Sequence, residues 1–150
     1  MLGSLARKLR ILGYDVAFDK KSDDNELLRT AQQSGRRLVT SDIDLYLRAK
    51  KLHIESTLIR SRSEKERLYE VLSSAGVGRI GGMSSPRCSV CNGSLVNTGE
   101  STKAGKPIYP CTACGKKYWE GSHWRKLESL FMGVDELLAG DKEKRSSEVR

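Results

Sequence analysis

The first 87 residues contain no cysteine, and all four cysteines fall within the next 27. No apolar run approaches the ~20 residues needed to span a bilayer. The N-terminus is helix-like and mixed in charge, without the long apolar stretch of a secretory signal. These absences lead to the expectation of a cytoplasmic protein with no membrane partner. A disulfide framework would be out of keeping with such a chain. Apolar residues make up only 37% of the sequence, so any core is modest. No internal repeat is visible. With 150 residues, there is room for one ordinary domain, or for a small α/β domain and a metal-held module.

Positive charge is plentiful. Lys and Arg number 27 against 19 Asp and Glu, a formal net charge of +8. Such a balance suits an anionic partner, most often nucleic acid, although a basic surface is also simply soluble. Four zinc-bound thiolates would lower the total to about +6.

Leu2, Leu5, Ala6, Leu9 and Leu12 recur at helical spacing, and Gly13 can close a helix over 2–12. Tyr14, Val16 and Phe18 alternate and predict a short strand. Ser22, Asp23 or Asp24 can cap a helix that carries Leu27, Leu28 and Ala31 and ends at Gly35. Leu38-Val39-Thr40 predicts a strand, and Ser41 or Asp42 caps a helix to about Lys51. A strand over 56–59 follows, and then a capping box from Ser63 to Glu66 opens a helix that ends at Gly76. This alternation predicts an α/β fold, a parallel sheet with helices on both faces. The order is unusual in beginning on a helix. Residues 76–87 are rich in Gly and Ser. The expected division is an α/β domain over 1–76, a linker over 77–87, a cysteine module with a helix from about His123 to Met132 over 88–132, and a charged, partly disordered tail over 133–150.

Cys88-x-x-Cys91 and Cys111-x-x-Cys114 are separated by 19 residues. Two intervening residues let both sulfurs of a pair reach one tetrahedral ion from a tight turn, and four thiolates leave no open coordination position. The expectation is a structural Zn²⁺ held by Cys88, Cys91, Cys111 and Cys114 in a zinc ribbon. Gly93 and Gly115 follow the two turns, where positive φ is favoured. Leu95-Val96 and Ile108-Tyr109 supply ribbon strands. His123 falls near the second pair, but the shell is already full, so packing is its expected role. Tyr118, Trp119 and Trp124 could stack on bases; packing of the small module is the favoured reading.

Asp42 follows Leu38-Val39-Thr40 at the carboxyl end of the strand, where doubly wound folds place their sites. Asp23 and Asp24 open the preceding helix, and Asp44 lies in the first turn of the next. Carboxylates gathered there can hold Mg²⁺ or Mn²⁺, which activates water in phosphodiester cleavage. Capping and the helix dipole also place Asp at such positions. On the residues alone capping is preferred.

The strings M-L-G-S-L-A-R-K-L-R-I-L-G-Y-D, D-D-N-E-L-L and L-V-T-S-D-I-D-L resemble the Mut-seven C-terminal RNase domain family, PIN-like nuclease domains with a C-terminal zinc ribbon. C-S-V-C and C-T-A-C-G-K-K-Y-W-E-G-S-H-W resemble that family's ribbon. The likeness covers about residues 1–132. It implies a PIN-like parallel sheet with helices on both faces, followed by a small zinc-ribbon module. It further implies a metal-dependent endoribonuclease in which Asp24, Asp42 and Asp44 match catalytic acids, with Asp23 beside them on the metal. At Asp42 the resemblance reverses the preference for capping. Family members carry a strand ending in Asp before the M-L-G motif, whereas this sequence opens on the Met of that motif. The expectation is a sheet short of one inner strand and a site short of one acid, in a chain that is natively short or a truncated, inactive reading. The alternative function is a non-catalytic RNA- or protein-binding module working through Lys103, Lys106, Lys116, Lys117, Arg125 and Lys126. Nothing in the sequence reads a 2′-hydroxyl, so RNA over DNA rests on the resemblance.

Overall fold

The computed structural model describes residues 2–81 and 85–148. It is a mixed α/β structure with a short parallel sheet and five helices among the described residues. Two compact units divide the chain: residues 19–78, and residues 1–18 with 79–150. No described helix is long and apolar enough to cross a membrane.

In the unit over 19–78, α2 (Asp24–Ser34) leads to β1 (Leu38–Thr40), α3 (Ile43–Lys51), β2 (Ser56–Leu58) and α4 (Glu64–Ser74). The strands β1 and β2 run parallel, in the register Leu38–Ser56, Val39–Thr57 and Thr40–Leu58. A parallel pair needs a crossover, and α3 supplies it. Leu28, Ala31, Leu38, Leu45, Ala49 and Ile54 form one buried cluster with Leu27 packed against it. Those positions recur at three- and four-residue steps on the helices, as burial of one face requires. On α4, Leu68, Val71 and Leu72 are buried in the same way.

The other unit begins with α1 (Gly3–Ile11), whose Leu5, Ala6 and Leu9 are buried as the spacing predicts. After residue 85 come β3 (Tyr109–Pro110) and β4 (Lys117–Tyr118), paired antiparallel. Leu95 bridges Cys111, and Val96 N–H donates to the Pro110 carbonyl at 3.1 Å, so Leu95-Val96 pairs with Pro110-Cys111, just beyond the expected segment Ile108-Tyr109, while Tyr109 pairs with Tyr118. The unit ends on α5 (Trp124–Glu148).

Two expectations need correction. Residues 14–18 are not a strand. The backbone groups of Val16 bond to side chains: its carbonyl accepts from Arg10 Nε at 2.9 Å, and its N–H donates to Asn92 Oδ1 at 3.1 Å. The helix expected to close near Met132 runs on to Glu148. Its buried positions Phe131, Val134 and Leu138 carry the three- and four-residue spacing beyond that point. The expected linker over 77–87 includes residues 82–84, and the expected tail includes 149–150; both stretches lie outside the described residues.

Candidate functional site

The four cysteines converge. Their sulfurs all lie within 4.8 Å of one another. Cys88 and Cys114 are 3.7 Å apart, and Cys91 and Cys111 are 3.4 Å apart. Four sulfurs at about 2.3 Å from a tetrahedral ion are separated by about 3.8 Å, so the set fits zinc. Each pair sits on the same kind of turn. Cys88 N–H donates to the Gly93 carbonyl and Asn92 N–H to the Cys88 carbonyl. At the second turn Cys111 N–H donates to the Lys116 carbonyl and Gly115 N–H to the Cys111 carbonyl. Cys88 and Cys111 are buried; Cys91 and Cys114 are exposed.

The two glycines act differently. Gly115 has the expected positive φ, 78°. At the first turn that conformation belongs to Asn92, with φ 69°. Gly93 is needed for space, because a Cβ there would lie 2.8 Å from Cys111 Sγ and 3.2 Å from Cys91 Sγ.

Electrostatics also favour a cation in this pocket. Burial pushes the Cys88 thiol up. Hydrogen bonds from the Tyr118 hydroxyl, from the backbone N–H groups of Cys91 and Val90, and with Cys114 outweigh it and bring Cys88 down to about 6. The Tyr118 hydroxyl lies 2.9 Å from Cys88 Sγ. At Cys91 the Gly93 N–H favours the thiolate, but hydrogen bonds with Cys111, Cys114 and Cys88, together with burial, push the thiol up to about 12. Sulfurs this close do not all ionise without a positive charge among them. Tyr118 is thus aimed at the cysteines, whereas Trp119 is 54% exposed. Trp124 donates through Nε1 to Glu128 at 2.7 Å, and His123 is exposed at the start of α5.

The acids lie in the other unit. Asp23 caps α2 in a reciprocal box: its Oδ1 accepts from Glu26 N–H at 2.9 Å, and its own N–H donates to Glu26 Oε2 at 3.2 Å. Asp24 is exposed in the first turn of that helix. Asp42 sits two residues beyond β1 and caps α3, its Oδ1 accepting from Asp44 N–H at 2.9 Å and Leu45 N–H at 3.2 Å. Asp44 is exposed in the first turn of α3. Arg48 Nη2 donates to Asn25 Oδ1, which ties α3 to the first turn of α2. Among the described residues, the cysteines alone bring three or more metal-ligating side chains together. One further carboxylate was missed by sequence reading. Glu70 on α4 accepts from the N–H groups of Arg60 and Ser61, both at 2.9 Å, and from the Ser61 hydroxyl, just past β2. It pins the exit of that strand, and no local pattern announces a bond that spans ten residues.

The model of the family described as the Mut7-C RNAse domain matches residues 1–131. No curated protein and no solved structure matches the chain. The match takes in the acidic helix starts and both cysteine pairs. The chain belongs to the Mut7-C RNAse domain family.

Proposed function

We propose that this chain is a metal-dependent endoribonuclease with a structural zinc ribbon. Family membership over residues 1–131 carries the reading. It is supported by the position of Asp42, two residues past the carboxyl end of β1, and by the Arg48–Asn25 bond, which ties the last turn of α3 to the first turn of α2 that bears Asp24. Magnesium needs only one or two carboxylates and completes its octahedron with water and substrate phosphate. Exposed carboxylates at Asp24, Asp42 and Asp44 are donors of that type. These three, with Asp23 adjacent, would hold Mg²⁺ or Mn²⁺, which supplies an activated water and offsets charge on the phosphate. The protein's own part is to fix the donors. The two N–H bonds to Asp42 both fall on Oδ1 and hold its carboxylate in one orientation. The net charge of +8 supplies attraction for a phosphate backbone.

A second reading is a non-catalytic binding module. One observation favours it: the carboxylates of Asp23 and Asp42 are both engaged in helix capping. Labelled single-stranded RNA separates the two. The nuclease reading predicts cleavage in Mn²⁺ or Mg²⁺ that is lost in EDTA and in Asp42→Asn, while binding persists and weakens steeply with salt. Equal cleavage by wild type and Asp42→Asn would remove Asp42 from the mechanism. Binding without cleavage by either would establish the module.

A further inference from the structure

Arg10 is 6% exposed although it carries a full positive charge. Every acceptor the structure gives it is a backbone carbonyl. Nε donates to Val16 at 2.9 Å, and Nη1 donates to Ser89 at 3.0 Å and to Val90 at 3.3 Å. Carbonyls accept from Nε and Nη1 but do not cancel the charge, and a buried cation without a counter-charge is costly. Ser89 and Val90 are the two residues between Cys88 and Cys91. The guanidinium is therefore seated on the backbone of the turn between Cys88 and Cys91. Four thiolates around one Zn²⁺ would carry a net charge of −2 and so supply a counter-charge on that turn.

A second set of bonds flanks the first. Arg87 N–H, just before Cys88, donates to the Arg10 carbonyl at 2.8 Å. Asn92, just after Cys91, accepts from Val16 N–H at 3.1 Å and donates through Nδ2 to Asp15 Oδ1 at 2.6 Å. The turn thus grips residues 10–16 from both sides. A metal turn has little reason to keep its shape without its ion.

We propose that Arg10 is a positioning residue of the zinc centre, and that metal loading is coupled to docking of residues 1–18. Zinc shapes the turn and, by displacing the thiol protons, leaves the four-thiolate cluster with the net negative charge that lets Arg10 stay buried. By reciprocity, a docked Arg10 raises the affinity for zinc. The proposal rests on the four cysteines holding zinc and is independent of the nuclease reading.

Hydrogen exchange on the full chain, zinc-loaded and after chelation, tests it without a variant. Protection over residues 3–16 is expected to fall on zinc removal, while residues 43–74 keep theirs. Unchanged protection over 3–16 would overturn the coupling, as would a wild-type chain that takes up no zinc; separate zinc analysis tells the two failures apart. Competition with a chromogenic zinc chelator supplies the second arm. Arg10→Met is expected to weaken zinc binding by about ten- to a hundred-fold, the usual effect of losing a group that orients metal ligands. Asn92→Gly keeps the positive φ but loses the side-chain bonds, and should weaken zinc in the same direction. Arg7→Met, on the exposed side of the same helix, should leave affinity unchanged. Equal affinity in wild type and Arg10→Met would overturn the role of Arg10.

Discussion

Gly93 shows how a single atom constrains the metal turn. An added methyl would meet Cys111 Sγ at 2.8 Å, Ala113 Cβ at 3.0 Å and Cys91 Sγ at 3.2 Å. Two of those three are sulfurs of the four-cysteine cluster, so the strain would fall on the shell of a metal held there. Gly93→Ala is predicted to weaken zinc binding by about ten-fold or more, read by chelator competition; an unchanged affinity would mean that the turn relaxes freely. The cysteines themselves were fully legible in the sequence, because C-x-x-C encodes its geometry within four residues. The role of Gly93 was legible only in part. Its place after the turn was visible, but the positive φ expected there falls on Asn92. Arg10 was not legible as a clasp, since its acceptors Ser89 and Val90 lie 79 and 80 residues away. Nothing within a helical window distinguishes it from the exposed Arg7.

At the level of elements, the caps were the readable features. Asp23, Asp42 and Ser63 each begin a helix and each accept a backbone N–H in its first turn. The apolar steps of α2, α3 and α4 and the short runs at β1 and β2 were visible for the same reason: their partners are local or their burial is periodic. The segment 14–18 misled because alternation signals an extended backbone without saying what pairs with it. Here an arginine and an asparagine side chain take the place of a neighbouring strand. The full length of α5 was within reach, since Phe131, Val134 and Leu138 continue the helical spacing. The cap at Asp42 also decides how its variants behave. Asn caps a helix about as well as Asp, whereas Ala loses about 0.5–2 kcal/mol. Thermal or denaturant unfolding is therefore predicted to show Asp42→Ala destabilised by that amount and Asp42→Asn close to wild type. This makes Asp42→Asn the cleaner probe of chemistry. A large loss of stability in Asp42→Asn would undo that separation.

Over the whole molecule, the chain's family rests on strings that lie in both compact units. The acids at the starts of α2 and α3 belong to one unit, and the cysteines belong to the other. The position of α1 was the largest feature hidden from sequence reading. It was expected to open an α/β domain, and it is grouped instead with residues 79–150. The reason lies in the bonds from residues 10–16 to the first metal turn, which become visible only once the ends of the unit are folded together. A net positive charge was legible from composition alone, but it names no partner, because charge attracts any polyanion.

The central claim is that four cysteines far along the chain hold one zinc ion and that this ion organises the unit containing α1. The most direct test is elemental zinc analysis of the purified, chelator-washed chain beside its Cys111→Ser variant. The prediction is close to one zinc per chain in the wild type and a clear loss in the variant, because Cys111 is a buried member of the set. A wild-type chain carrying well under one zinc, or a variant that holds it equally well, would contradict the account.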